Sequence, residues 1–229
     1  MIKAVFLDID NTILDFDAYV KEALESGFSA FGLGTYTPDV YEAFVRINNG
    51  LWRALEKGDL TMEALFSVRF QRIFSHLGIN ADGHAFEKYF AEYLNESAIP
   101  IDGASALVEY LGKKYILAAA SNGPFRQQAH RLRLAGMDGY FKHLFISEKV
   151  GASKPSKAFF DHCLKILNEN AFVRPEEIVM IGDSPTSDLM GAVQAGMKCV
   201  YFDRYRKGLG ENFSADYTVH TLNEIFAIL

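Results

Sequence analysis

The residues that could do chemistry in this 229-residue chain lie in two kinds of position. They either follow an apolar run directly or stand at a loop-to-helix junction. They are Asp8, Asp10, Thr12, Ser121, Asn122, Lys154, Asp183 and Asp188. Ligands bind beyond the carboxyl ends of the strands in an open parallel sheet, so these side chains are expected to meet at one edge. Asp8 and Asp10 lie two residues apart and would repel each other unless a cation lay between them.

Three of these carboxylates predict a metal site. Asp8, Asp10 and Asp183 offer hard oxygen ligands, and a cluster of that charge favours Mg²⁺. No His or Cys pairs at zinc spacing compete with them. A magnesium ion there would polarise a phosphoryl oxygen and shield an anionic phosphate from an anionic nucleophile.

Taken singly, several of these residues have ordinary structural explanations. A carboxylate such as Asp183 commonly caps a helix, and Ser121 and Asn122 are common turn residues. Lys154 alone is most simply a solvated loop lysine. Their joint placement at strand ends is harder to explain by turns and caps, and favours one composite site.

The elements that must position these residues are short apolar runs separated by helical spacing. Four runs are clear and two are weaker: Ile2–Leu7, Tyr115–Ala120, Ile178–Ile181 and Cys199–Phe202, then Leu144–Ile146 and Tyr217–Val219. Strands that alternate with helices pair in parallel, and continuously apolar strands are covered on both faces. The sequence therefore predicts an α/β fold with a doubly wound parallel sheet.

The interval between the first two strands has a different pattern. From about Asp15 to Ser97 there are four amphipathic segments, with breaks near Gly32–Pro38, Gly58–Thr61 and Gly78–Gly83. Within the second break, Thr61 has the character of a helix N-cap. We therefore predict a helical bundle, residues 15–97, inserted into a core domain of residues 1–14 and 98–229.

Four motifs in this order resemble those of the haloacid dehalogenase superfamily, in the branch with a helical cap after the first motif. They are Asp8-Ile-Asp10-Asn-Thr12, Ala-Ser121-Asn122-Gly, Ser-Lys154-Pro-Ser and Ile-Gly182-Asp183-Ser-Pro-Thr-Ser-Asp188. The resemblance spans nearly the whole chain and implies a Rossmann-like core.

The resemblance implies a phosphatase with an aspartyl-phosphate intermediate. It makes Asp8 the nucleophile and Asp10 the general acid and base, which agrees with the chemistry of a carboxylate beside Mg²⁺. Lys154 would neutralise charge in the transition state. Ser121, Thr12 and the backbone amide of Asn122 would hold the phosphate. Asp183 would bind the metal, and Asp188 would support the metal water or Lys154.

The inserted segment resembles the bacterial pyrimidine 5′-nucleotidases of this superfamily over residues 46–61 and 68–70. This resemblance implies a nucleoside monophosphate substrate, with Asn48 and Trp52 contacting the base. Trp52 could equally be a core residue of the bundle, since aromatic residues at helical spacing usually pack inward. A sugar-phosphate phosphatase or phosphomutase is the alternative enzyme, and a non-catalytic binding or regulatory protein is the alternative from another class.

Composition limits the partners. The net charge is −6 without a Lys/Arg run, which argues against a nucleic-acid polymer and leaves a small phosphate ester as the expected partner. The first apolar run, Ala4–Leu7, is too short for a signal peptide or membrane span, so we expect a cytoplasmic protein. Cys163 and Cys199 lie among apolar residues and are expected to be buried free thiols. The oligomeric state is left open.

Overall fold

The computed structural model describes residues 1–169 and 171–229, and these divide into two compact units. The core unit comprises residues 1–15 and 98–229, and the helical unit comprises residues 16–97. Among the described residues, the longest helices are too polar or too short to cross a lipid bilayer.

The core unit contains one parallel six-stranded sheet. In chain order the strands are β1 (Ala4–Leu7), β2 (Ile116–Ser121), β3 (His143–Ile146), β4 (Ile178–Gly182), β5 (Lys198–Phe202) and β6 (Tyr217–Val219). They lie side by side in the order β3-β2-β1-β4-β5-β6. Each strand coincides, within two residues, with one predicted apolar run, so the predicted parallel α/β sheet is confirmed.

The helical unit contains four helices: α1 (Phe16–Ala30), α2 (Pro38–Glu56), α3 (Met62–Leu77) and α4 (Gly83–Asn95). The three connections fall at the three predicted breaks. Thr61 caps α3 as predicted, since its hydroxyl accepts the Ala64 N–H at 3.1 Å. Gly78 ends α3 in the left-handed conformation, at φ 67°, which glycine adopts without steric cost.

The described part of the core unit contains the further helices α5 (Ala104–Lys114), α6 (Phe125–Leu134), α7 (Ser147–Val150), α8 (Lys157–Asn168) and α9 (Met190–Gln194). Short 3₁₀ turns cover Asp138–Tyr140, Pro175–Glu177 and Leu222–Ala227, and a π-helical stretch, Pro185–Leu189, leads into α9. Residues of α5 and α6 pack into one apolar cluster against the sheet, and residues of α8 and α9 pack into the other.

The sheet is buried on both faces, as continuous apolar strands predict. In β1, Val5 and Leu7 pack into one apolar cluster, whereas Ala4 and Phe6 pack into the other. Because β1 lies between β2 and β4, the residues beyond it emerge where the chain reverses its direction across the sheet. That reversal is the usual ligand position in doubly wound folds.

The cysteines behave as predicted. Cys163 lies on α8 and Cys199 on β5, and both are buried free thiols. Burial raises the pKa of each thiol above its usual value, so neither is activated as a nucleophile.

Candidate active site

Asp8 is the first residue beyond β1, and its position is fixed by the sheet and by a tight turn. Its N–H donates to the Ile181 carbonyl at 2.9 Å. The Ile9 carbonyl then accepts three successive N–H groups, and Asn11 takes a positive φ of 59°. This turn returns the Thr12 hydroxyl to Asp8, where it donates to Oδ2 at 3.2 Å.

Lys154 is the cation that contacts Asp8, and only 2% of it is exposed. Its Nζ donates to Oδ1 of Asp8 at 2.7 Å, to Oδ1 of Asp188 at 2.6 Å and to the Ala120 carbonyl at 2.6 Å. These contacts use the three donors of an ammonium group. The Asn122 side chain fixes the lysine backbone, accepting its N–H at 2.8 Å and donating to its carbonyl at 2.9 Å.

The protonation of this pair follows from burial and charge. Burial raises the pKa of Asp8 from 3.8 to about 7; Lys154 opposes that rise and Asp188 adds to it. Burial alone would lower the pKa of Lys154, but the carboxylates of Asp188 and Asp8 outweigh it and hold that pKa above its usual range. Lys154 therefore remains charged, whereas Asp8 depends on nearby cations to stay ionised.

Asp188 serves Lys154 from the π-helical stretch. Its Oδ1 accepts from Lys154, and its Oδ2 accepts the Ser184 N–H at 3.1 Å. A Cβ on Gly182 would lie 2.1 Å from Oδ2 of Asp188, so glycine is required there for this carboxylate to reach the lysine. The structure thus brings Asp188 to Lys154, one of its two predicted contacts.

Among the described residues, Asp8, Asp183 and Asp188 each offer one carboxylate oxygen to a cluster in which these three oxygens lie within 4.8 Å of one another. Thr12 joins it, with its hydroxyl 3.5 Å from Oδ1 of Asp183. All of these donors are oxygens, which suits Mg²⁺. Asp188 is the most buried of the three, at 1% exposed, and both of its oxygens accept N–H groups, so Asp8 and Asp183 are the residues that would hold the ion.

The side chain of Asp10, which is predicted among the metal ligands, makes its hydrogen bonds with α6. Its Oδ1 accepts from Nη1 of Arg131 at 2.5 Å, and its Oδ2 accepts from Nε2 of Gln128 at 2.5 Å. The structure therefore directs this carboxylate toward α6, and it does not bring it into the cluster of Asp8 and Asp183. The predicted roles of Asp10, as a metal ligand and as the acid and base, both stay predictions.

Ser121 is the last residue of β2, and its hydroxyl oxygen accepts two hydrogen bonds. It accepts the Gly123 N–H at 3.1 Å and Nε2 of Gln128 at 2.9 Å. With both lone pairs used, the hydroxyl proton is what Ser121 has to offer a ligand. A phosphoryl oxygen accepts such a proton, in keeping with the predicted phosphate contact.

Two residues of this arrangement were missed from the sequence, Gln128 and Arg131. Both lie on α6 and are 1% exposed. Their spacing of three places them on one face of the helix. That spacing was the available signal, but this helix also carries Gln127, His130 and Arg133, so polar residues alone did not indicate which face is buried.

In the helical unit, Asn48 is buried and Trp52 is half-buried. Oδ1 of Asn48 accepts from Nη1 of Arg69 at 3.0 Å. Trp52 packs edge-on against Phe66, with ring centroids 6.4 Å apart. Both residues therefore have structural contacts within this unit, and their predicted contact with a base stays a prediction.

Comparison with known proteins identifies the family. A family model for haloacid dehalogenase-like hydrolases matches residues 2–196. The chain belongs to this family. The four motifs and the sheet with its inserted helices are thus accounted for by common descent.

Relatives that are similar over nearly the full length include three bacterial proteins. The HAD-hydrolase YfnB of Bacillus subtilis is 32% identical, with 99% of this chain and 95% of YfnB covered. The pyrimidine 5′-nucleotidase PynA of Streptococcus pneumoniae is 31% identical, covering 99% and 94%, and YjjG of Escherichia coli, also a pyrimidine 5′-nucleotidase, is 27% identical, covering 98% and 96%. Family and relatives together make this chain a phosphatase.

A solved structure of YfnB bound to magnesium superposes with a TM-score of 0.91, at 32% identity, covering 100% of this chain and 98% of that one. That structure reveals interdomain movement in YfnB. The doubly wound core with inserted helices is therefore shared with a metal-bound relative.

Proposed function

We propose that this phosphatase is a Mg²⁺-dependent hydrolase of phosphate monoesters that acts through an aspartyl-phosphate on Asp8. The observation that carries the proposal is the surroundings of Asp8: a buried carboxylate bonded to Lys154 and Thr12 beside the carboxylate of Asp183. A carboxylate with a purely structural role is usually neutralised by a single basic partner. Asp8 instead lies in a cluster of like charges at a sheet edge, which is typical of a functional site.

The first step transfers the phosphoryl group to the protein. An oxygen of Asp8 forms a bond to phosphorus while the bond between phosphorus and the ester oxygen breaks. Asp10 donates a proton to the departing oxygen, so the alcohol leaves neutral. Ser121 donates a hydrogen bond to a phosphoryl oxygen, and Lys154 balances the negative charge.

The second step releases phosphate. Asp10, now ionised, takes a proton from water, and that water attacks the phosphorus of the aspartyl-phosphate. The acyl phosphate bond breaks, inorganic phosphate leaves, and both carboxyl groups return to their starting states. Asp8 and Asp183 would hold Mg²⁺, which when bound supplies positive charge beside the transferring phosphoryl oxygens.

We further propose nucleoside 5′-monophosphates, and pyrimidine nucleotides first, as the substrate class. Support comes from PynA and YjjG, which are pyrimidine 5′-nucleotidases similar to this chain over its whole length. The residues that bind phosphate recognise only what all monoesters share, so the leaving group has to be selected elsewhere. Asn48 and Trp52 of the helical unit are the candidates, and a cytoplasmic location stays part of this proposal.

The test is phosphate release by the purified protein from pyrimidine nucleotides, purine nucleotides and hexose phosphates, with and without Mg²⁺. We expect pyrimidine nucleotides to have the highest kcat/KM. Equal rates for hexose phosphates would contradict the nucleotidase assignment, and isomerisation of a hexose phosphate without release would indicate a mutase.

Asp8→Asn should lower kcat by at least about a thousandfold while the protein stays folded, because the amide cannot act as the anion. Acid-quenched protein should carry a covalent phosphate in wild type and none in the variant. Retention of more than about a tenth of the turnover would contradict the nucleophile assignment.

A further inference from the structure

The two buried polar side chains of α6, Gln128 and Arg131, are not used in the mechanism above. Burying a guanidinium costs free energy unless its N–H donors and its charge find partners inside the protein. Nη1 of Arg131 donates to Oδ1 of Asp10 and, at 3.1 Å, to Oε1 of Gln128. The pair therefore forms a connected unit directed at one functional residue.

The contact holds both oxygens of the Asp10 carboxylate. Oδ1 is bound by Arg131 and Oδ2 by Gln128, each at 2.5 Å. The side chain of Asp10 is 31% exposed, whereas that of Arg131 is 1% exposed. The partly exposed carboxylate of Asp10 is thus held by two buried side chains, the guanidinium of Arg131 and the amide of Gln128.

Gln128 also connects Asp10 with the phosphate end of the site. Its Nε2 donates both to Oδ2 of Asp10 and, at 2.9 Å, to the hydroxyl oxygen of Ser121. Because the amide oxygen accepts from Arg131, the amide cannot be flipped without losing all three contacts. A Cβ on Gly123 would lie 2.5 Å from this Nε2, so glycine leaves room for the bridge.

We propose that Arg131 and Gln128 are positioning residues that hold Asp10 for proton transfer to the leaving oxygen and set it in register with Ser121. The proposal rests on the function given above, in which Asp10 is the acid. Proton transfer requires the donor within hydrogen-bond reach of the ester oxygen, and small misplacements of a reacting group are expensive in rate. Loss of either residue should then resemble a partial loss of Asp10.

The test uses aryl phosphates whose leaving groups differ, from dinitrophenyl phosphate through nitrophenyl phosphate to phenyl phosphate. A good leaving group departs without a proton, whereas a poor one needs the acid. The quantity to compare is kcat/KM, which reports phosphoryl transfer to Asp8 and excludes the later hydrolysis that all three esters share. Asp10→Asn should lower kcat/KM about a hundredfold or more for phenyl phosphate and far less for dinitrophenyl phosphate. Arg131→Met and Gln128→Met should show the same graded pattern with about tenfold loss on phenyl phosphate, and Arg131→Lys should recover part of it.

Arg133→Met is the matched control, because Arg133 lies on the same helix with its side chain 69% exposed. It should leave all rates unchanged. In the Asp10→Asn background, Arg131→Met should add no further dependence on the leaving group, since the residue it positions is gone. If Arg131→Met does not fold, Gln128→Met decides alone.

Equal slowing of all three esters by both variants would overturn the proposal and leave a structural role for the pair. If Asp10→Asn itself shows no dependence on the leaving group, the assignment of Asp10 as the acid fails, and the positioning proposal fails with it. The two failures are distinguished by the Asp10 variant alone.

Discussion

Each of the two units buries a basic side chain against carboxylates, and the two arrangements differ in charge balance. In the helical unit, Arg69 pairs with Glu87 through two hydrogen bonds, at 2.9 and 2.5 Å, and a neutral amide, Asn48, completes its contacts. Four phenylalanine rings surround the guanidinium, with centroids 4.9 to 5.6 Å from its carbon. The single positive charge of Arg69 is therefore balanced by the single negative charge of Glu87 in apolar surroundings.

In the core unit, Lys154 meets two carboxylates, Asp8 and Asp188, and Asp183 lies close to both. The negative charges exceed the positive one, and burial raises the pKa of Asp8 to about 7. Such an excess is unfavourable in a folded protein unless a further cation joins it. Charge balance thus separates the two: the Arg69 pair is neutral overall, whereas the Lys154 cluster carries the excess negative charge expected of the Mg²⁺ site proposed above.

The largest expected difference is between Arg69→Met and Lys154→Met. Arg69→Met leaves Glu87 buried without its partner, so the free energy of unfolding should fall by about 3–5 kcal/mol. Lys154→Met removes the cation beside the transferring phosphoryl group, so kcat should fall by about 10²- to 10³-fold. Denaturant unfolding and steady-state kinetics measure the two effects.

Glu87→Gln and Asp188→Asn serve as controls that retain size. The first should lower stability with kcat retained in the folded fraction, and the second should lower kcat because Lys154 loses a charged partner. A fall in kcat for the Arg69 variant as large as for the Lys154 variant would remove the distinction between the two networks.

The next effect is stabilisation by Mg²⁺, which should act on the core cluster alone. At a concentration of 100 times Kd, the ion should stabilise the folded protein by about 2.7 kcal/mol through mass action. Asp183→Asn should abolish most of this gain, and Arg69→Met should keep it. Thermal unfolding with Mg²⁺ or with a chelator measures it, and full activity after exhaustive chelation would contradict the metal site.

The pH dependence gives a smaller effect with a definite sign. Because the pKa of Asp8 is raised from 3.8 to about 7, the folded protein without metal binds more protons than the unfolded chain between those values. The contribution of Asp8 to stability should therefore fall as pH rises through this window. Mg²⁺ competes with that proton, so its affinity should rise with pH up to about 7 and then level off.

Calorimetric titration with Mg²⁺ at pH 5.5, 6.5 and 7.5 checks this prediction, in two buffers that differ in ionisation enthalpy. Proton release should accompany binding below pH 7 and disappear in Asp8→Asn. An affinity that does not change over this range would show that Asp8 is already ionised in the absence of the ion.

The sequence was sufficient to predict the strands and the residues at their ends. Continuous apolar runs such as Ile178–Ile181 have few alternatives to a buried strand, and the residue after each strand has to lie at the sheet edge. Asp8, Ser121 and Asp183 could thus be placed without a structure. Their positions follow from backbone topology.

The partners of each side chain were less predictable. The hydrophobic pattern of the sequence determines neither the direction in which a polar side chain points nor how far away in sequence its partner lies. Asp10 was expected among the metal ligands, yet its carboxylate turns to Arg131, 121 residues away. Oδ1 of Asn48 accepts from Arg69 on the next helix, a contact that the sequence did not indicate, while its predicted contact with a base stays a prediction. Both outcomes depend on which buried donor needs an acceptor, and that is decided by packing.

The smallest expected effect concerns Trp52, which could either pack within the helical unit or contact the base of a nucleotide. Its ring packs against Phe66 and the small apolar cluster of Leu51, Leu55 and Leu65, but it stays half-buried. A residue held on one side and accessible on the other can stack on a base. We expect Trp52→Ala to lower kcat/KM about tenfold for a pyrimidine nucleotide, with little change for nitrophenyl phosphate.

Phe66→Leu is the matched control, since it weakens the same packing without removing the indole. It should lower the melting temperature with equal and small changes on both substrates. Trp52→Phe should keep part of the nucleotide preference, because a smaller ring still stacks. If Trp52→Ala lowers the rates on both substrates in proportion, Trp52 belongs with Arg69 among the residues that hold the helical unit together, and the base must be selected by other side chains.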